Sequence, residues 1–287
     1  MGDVLAGIQA TWEFESDSVL IRFARGIRTP KLFQALRERR IPHEALTSVT
    51  LSEGRRGTVV LHAVPRSGAD PLMEAAAGQL KESCDPYRLV LPAERETLAE
   101  YYADELRERL PPPHAAKEPA ERFLVAAPEG PLHFKAYDAK ASFDGERVAF
   151  RWSWTGASSA KWKAGDQTFP VGSLCGVEWR SPEALDGYLR LLERDGDGTD
   201  RPAQADKDPA TVAFGLGYGP VHESLPFAAA VLAAVRERGA NAVRVVAGRR
   251  DPADIAERIR HLGELHASGL VTDDEYRAKK AELLAEL

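Results

Sequence analysis

The sequence predicts a mainly β protein with added helix (α+β): two tandem small β domains of barrel or sandwich form, each closed by a C-terminal helix, then a helical hairpin. Three observations predict it. The chain repeats itself at an offset of about 129 residues, too long for a solenoid unit, so the duplicated object is a whole domain. Within each copy, stretches of period two precede a single stretch of helical period. The last thirty or so residues carry helix stop and start signals of their own.

The repeat is read in three blocks. Phe14, Val19, Ile21, Arg22 and Phe23 fall opposite Phe143, Val148, Phe150, Arg151 and Trp152. Ile41, Pro42, Leu46, Val49 and Leu51 fall opposite Phe169, Pro170, Leu174, Val177 and Trp179, and Leu106–Arg109 opposite Val235–Arg238. The implied organisation is a first domain at 1–110, a Pro/Ala/Glu-rich linker at 111–131, a second domain at 132–239, a linker at 240–252 and a hairpin at 253–287. Each copy is long enough to bury a core of its own.

The elements follow in order. Val148, Phe150, Trp152 and Trp154 alternate with Ala149, Arg151 and Ser153, as in a half-buried strand, and Val19, Ile21 and Phe23 repeat the pattern. Further strands are expected at 46–51, 58–64 and 87–91, and at 174–179 and 211–216. Leu98, Tyr102 and Leu106 recur every four residues as one helix face; Phe227, Val231 and Val235 do so in the second copy, with Ser224 as its expected N-cap and Pro226 in its first turn. Strands followed by one helix resemble the outline of a pleckstrin-homology-like (PH-like) domain. The copies differ at one place, where residues 67–85 leave room for a helix at 71–82 and residues 194–209 form an Asp/Gly/Pro-rich loop.

The tail is punctuated explicitly. Ile259, Leu262 and Leu265 form a stripe, Gly269 supplies a left-handed cap, and Thr272-Asp273-Asp274-Glu275 is a capping box opening a second helix with Tyr276, Lys280, Leu283, Leu284 and Leu287. About eight apolar side chains cannot offset the ordering of about 33 residues, so the hairpin is expected to dock on something. Its residues, from Ile259 through Leu270-Val271-Thr272 to Tyr276, Lys280 and Leu283-Leu284, resemble the SHOCT family of short C-terminal domains. That resemblance implies a homo-oligomerising or partner-docking role for Ile259, Leu262, Leu265, Leu270, Val271, Tyr276, Leu283 and Leu284. The duplicated part, on Ile41-Pro42 through Val49 and Phe169-Pro170 through Val177, resembles the bacterial domain of unknown function 4429, which is PH-like and often stands in tandem before a SHOCT tail.

Composition excludes several classes. With 44% hydrophobic and 29% charged residues and no apolar run of membrane-spanning length, the chain reads as a cytoplasmic protein, or one lying peripherally at the inner face of the membrane. The start lacks a signal-peptide pattern. A net charge of −6 argues against nucleic acid as a partner, and Cys84 and Cys175 stand in separate copies without a Cys-x-x-Cys pair.

Candidate sites are few. Arg22, Arg25, Arg28, Lys31, Arg37, Arg39 and Arg40 face Glu38 alone in their segment. Of these, Arg25, Arg28, Lys31, Arg37, Arg39 and Arg40 are the candidate contacts to an anionic membrane or phosphate ligand, against the plainer reading of a solvated loop and a short helix with Thr29 as cap and Pro30 at its first position. Trp152, Trp154 and Trp179 are expected in the core, and Trp162, between two lysines, as an exposed interface anchor. Gly215–Gly219 lacks the phosphate-loop ending, and Asp195, Asp197 and Asp200 lack calcium-loop spacing. No motif pairs a nucleophile with a base, so no catalytic residue, metal or cofactor is expected, and the chain reads as a non-catalytic interaction protein; an unrecognised enzyme site is the remaining alternative.

Overall fold

The computed structural model describes residues 3–112, 114, 118–128, 132–194, 204–248, 260–263, 266 and 272–285. They divide into two compact units, 1–237 and 238–287.

The first unit holds both copies of the repeat. Each has seven strands in two antiparallel sheets and a helix after them. In the first half, β1 (Asp3–Ala6), β2 (Ala10–Phe14), β3 (Ser18–Phe23) and β4 (Glu38–Pro42) form one sheet in sequential order, and β5 (Leu46–Glu53), β6 (Thr58–Pro65) and β7 (Arg88–Pro92) form the other. A six-residue helix, α1 (Lys31–Leu36), interrupts the path from β3 to β4, and α2 (Pro71–Ala76) lies in the insertion between β6 and β7. Helix α3 (Glu96–Arg109) closes the half. In the second half, β8 (Leu132–Lys135), β9 (Ala139–Phe143), β10 (Arg147–Trp152) and β11 (Gln167–Pro170) repeat the first sheet, with α4 (Ser159–Ala164) where α1 stood. Strands β12 (Leu174–Arg180), β13 (Tyr188–Glu193) and β14 (Thr211–Ala213) repeat the second sheet, and α5 (Val221–Gly248) follows.

The sheets remain separate rather than joining into a closed barrel. The chain turns from one to the next through a single 3₁₀ turn, His43–Ala45 or Val171–Ser173, and among the described residues β4 does not pair with β5 nor β11 with β12. The repeat is nonetheless legible in the registers: Val19 faces Phe14 and Ile41, and Val148 faces Phe143 and Phe169.

The two C-terminal helices differ in burial. Helix α3 buries one face, Ala99, Tyr102, Ala103 and Leu106, the spacing of a surface helix. Phe14 stacks on Tyr102 with ring centroids 4.3 Å apart. Helix α5 is buried at every position from Ser224 to Val231, as a helix covered on all sides must be. Its start departs from the sequence reading: the helix begins at Val221, so Ser224 lies inside it rather than capping it. The Ser224 hydroxyl instead sits 2.9 Å from the Gly219 carbonyl and accepts from the Trp179 indole at 3.1 Å. Strand β14 ends at Ala213, three residues short of expectation, where Gly215 to Gly219 form a turn.

The second unit contains α6 (Asp273–Ala285), opened by the expected capping box: the Glu275 carboxylate accepts from the Thr272 amide at 3.0 Å and from its hydroxyl at 2.8 Å. His266 lies 2.5 Å from Asp273 and stacks on Tyr276.

Candidate functional site

The halves meet through the first half's helices. Leu32 of α1 and Leu72, Ala75 and Ala76 of α2 are buried within the hydrophobic core of the second half, with Leu36, Leu80 and Cys84 packed against it. The second half therefore completes its core with side chains from the first. Polar contacts fix the register: Gln79 donates to the Trp179 carbonyl at 2.9 Å and accepts from the Ser181 amide at 3.0 Å, Lys81 pairs with Glu183 at 3.0 Å, and Arg236 reaches the Gly68 carbonyl at 3.0 Å. The linker is tied to the first half, its Ala120 amide bonding the Ser67 carbonyl and its Leu124 and Val125 amides the Ala69 carbonyl.

Beside this junction lies a groove of about 770 Å3, a size that suits a small ligand or a peptide side chain. Leu32, Leu80 and Phe214 supply apolar walls; Lys31, Lys81 and His222 supply charge or hydrogen bonding. Its rim carries two of the most exposed apolar side chains in the molecule, Leu185 and Leu216. Burial, with Lys31 nearby, holds the His222 imidazole below its ordinary pKa against the opposing pull of Glu223. Gly215–Tyr218 of the glycine-rich stretch thus belongs to a groove wall, a role that spacing alone did not indicate.

The structure disperses the basic segment. Lys31 faces the groove just described, while Arg37 and Arg40 border a second cavity of about 720 Å3 between the halves. Arg22 pairs with Glu13 and Glu38, and Arg40 pairs with Glu15. Arg39 is no surface contact: it is buried, 2.7 Å from Asp70, which also accepts from Tyr87 at 2.8 Å and from the Leu72 amide at 2.8 Å. The alternation of β4 turns Arg39 inward while its neighbours Glu38 and Arg40 face solvent. Arg25, Arg28 and Arg37 remain exposed, and among the described residues no ion pair engages them. Between the first two, Ile27 is fully exposed. Thr29 does not cap α1; the helix starts after Pro30 and Thr29 is buried. The loop is closed instead by Gln34, whose amide donates to the Gly26 and Thr29 carbonyls at 3.0 and 2.9 Å.

In the second half, the place of Phe33, which stacks on Phe23, is taken by Lys161, whose ammonium lies 5.0 Å from the Trp152 ring centre. Lys161 is fully buried, 2.5 Å from Asp138 and 2.8 Å from the Thr211 carbonyl. Burial raises the Asp138 carboxyl, with Lys161 and the Ala213 amide acting in the opposite direction.

Of the tryptophans, Trp152 and Trp179 are buried as expected. Trp154 is not. Strand β10 ends at Trp152, so Trp154 falls in the following turn, 85% exposed, and packs edge-on against Trp162 at 5.5 Å. Trp162 is exposed as expected and lies on α4. In the tail, Leu262 and Tyr276 are partly buried, Leu283 and Leu284 lie in α6, and Ile259, Leu265, Leu270 and Val271 fall outside the described residues, as do Gly269, Asp195, Asp197 and Asp200. Among the described residues, no group of three His, Cys, Asp or Glu side chains could hold a metal, and no helix is long and apolar enough to cross a membrane.

Residues 12–107 and 141–232 each match the domain of unknown function DUF4429. The chain belongs to the DUF4429 family. Residues 257–284 match the short C-terminal domain, SHOCT. Comparison with curated proteins finds no match. Each DUF4429 segment lies within one sheet-rich half, running from its second strand into its closing helix, and residues of both segments line the junction groove.

Proposed function

We propose that this DUF4429 protein is a non-catalytic interaction protein, in which tandem PH-like modules present a binding groove and the SHOCT tail gathers several chains or docks a partner. The observation that carries the reading is the junction groove, walled by both halves and rimmed by exposed Leu185 and Leu216. An open, amphipathic cleft of this kind suits a peptide or small amphiphile. The tail supplies avidity: tethering weak modules raises the local concentration of each to about the millimolar range. The test is solution mass at micromolar concentration, comparing the full chain with one ending at Arg250. A multimeric full chain and a monomeric truncation support the reading; equal masses remove self-assembly by the tail and leave partner docking.

A second reading, contact with an anionic membrane surface, is favoured by Ile27 standing exposed between Arg25 and Arg28. At about 1 kcal/mol per basic residue, Arg25, Arg28 and Arg37 together would raise vesicle affinity about 100-fold. Sedimentation with phosphatidylserine vesicles at low salt, lost in R25E/R28E and in high salt, is the expected result; equal pelleting of both proteins excludes it.

A further inference from the structure

Three cations stand side by side on the outer face of the second half's first sheet. Lys135 of β8 pairs in register with Lys140 of β9, and Lys140 with Arg151 of β10, so the three share one face across adjacent strands, and all are exposed. Like charges directly opposite each other destabilise a sheet. Among the described residues none of the three has an ion-pair partner. The first half carries the neutral version of the same row. Ala6, Thr11 and Arg22 occupy the matching register positions, and Arg22 pairs with Glu13 and Glu38. In the second half Ser142 takes the place of Glu13, and Asp166, in the place of Glu38, accepts from the Trp152 amide at 3.1 Å. Folding therefore does not account for the row, whereas an external anion would.

An aromatic and aliphatic patch adjoins the row. Lys135 Nζ lies 5.3 Å from the centre of the Tyr218 ring, which meets the exposed Tyr137 edge-on at 6.0 Å. The turn after β10 packs on the backbone of Tyr137, where a Cβ on Gly156 would come within 2.2 Å of the carbonyl oxygen, and that turn carries Trp154 with its partner Trp162. Leu216 stands fully exposed in the Gly215–Tyr218 turn, and Lys163 is exposed beside Trp162. Tryptophan and tyrosine next to basic side chains suit a bilayer interface, with apolar bodies in the headgroup layer and polar tips in water. Aliphatic tips and an edge-on ring pair do not suit the stacked bases of a single-stranded nucleic acid, and a net charge of −6 opposes one. We infer that this corner of the second half is a docking surface for an anionic phospholipid bilayer: Lys135, Lys140 and Arg151 meet the headgroup anions while Trp154, Trp162 and Leu216 enter the headgroup layer. The inference rests on the membrane reading above and adds to it a contact on the other half. Pro30 and Lys31, shortly after Arg28 in the chain, line the same groove as Leu216, so both contacts border one opening. Two weak contacts on one chain reinforce each other.

The test uses the full chain with vesicles of phosphatidylserine and phosphatidylcholine whose brominated acyl chains quench tryptophan fluorescence. Trp12, Trp152 and Trp179 are buried, so quenching reports Trp154 and Trp162. Wild type is expected to be quenched at low salt, and W154F/W162F to show no quenching. K135Q/K140Q is expected to bind about 30-fold more weakly. It should also melt no lower than wild type, because it relieves like-charge repulsion. An unquenched wild type, K135Q/K140Q binding as wild type does, or binding to a single-stranded DNA oligonucleotide in place of vesicles would each overturn the inference. The two membrane contacts fail separately. Pelleting lost in R25E/R28E with wild type unquenched leaves the first half's contact and removes this one; pelleting kept in R25E/R28E and lost in K135Q/K140Q supports this one alone.

Discussion

Replacing Lys161 by Met tests the buried charge pair that distinguishes the second half from the first. The ammonium is inaccessible to solvent and makes two polar contacts, to Asp138 at 2.5 Å and to the Thr211 carbonyl at 2.8 Å. Methionine keeps the length and the contact with the Trp152 ring but leaves Asp138 as an uncompensated buried carboxylate. Removing one member of such a pair costs about 3–5 kcal/mol. For a body of this size each kcal/mol lowers the melting temperature by about 2–4 °C, so the loss is about 6–20 °C by calorimetry. The double variant K161M/D138N removes the charge while keeping an acceptor for the Ala213 amide, which lies 2.9 Å from Asp138, and is expected to recover most of the loss. A single variant as stable as wild type, or a double variant no better than the single, would refute the assignment of the cost to the stranded carboxylate.

Three further outcomes are expected. His222 has its pKa depressed mainly by burial, so the folded state binds its proton less readily than the unfolded chain; stability falls as pH drops below about 6.5, and H222Q flattens that slope in a pH series of melts. Gly219 has φ of +62°, and a Cβ there would lie 2.3 Å from the Phe214 ring, so G219A should destabilise by about 1–3 kcal/mol in urea titration. Glu275 is held below the ordinary carboxylate pKa by the Thr272 amide and hydroxyl; its contribution to the α6 cap is present above the ordinary value and lost as pH falls through the depressed one, a change in helical circular dichroism that E275Q abolishes.

The sequence made the repeated frame legible because period two and period 3.6 are local properties. Strands β3, β5, β6, β10 and β12, helix α3 and the Thr272 cap follow from a few neighbouring residues each. What escaped depended on distant partners. Arg39 looks like its neighbours Arg37 and Arg40 until Asp70, thirty-one positions away, is seen to bury it. Trp154 continues an alternating pattern two residues beyond the point where β10 stops pairing. Ser224 has the flanking sequence of a cap, yet the helix begins at Val221, which with His222 lines the junction groove alongside Lys31 and Leu32 of the first half. A signal for the difference did exist in the sequence: Ala229 and Ala230 stand in α5 where Glu100 and Tyr101 stand in α3.

The insertion helix α2 ties the fate of the copies together. Asp70 caps it, and through Arg39 and Tyr87 anchors it to the first half, while Leu72, Ala75 and Ala76 fill the core of the second. A gene duplication is ordinarily free to lose or exchange one product, but here neither copy is a spare part. A protease cutting near His114 would sever the peptide without releasing either half, and a second copy expressed alone would present an open core where α2 had been. Mutations in the insertion of the first DUF4429 segment would then register as defects of the second.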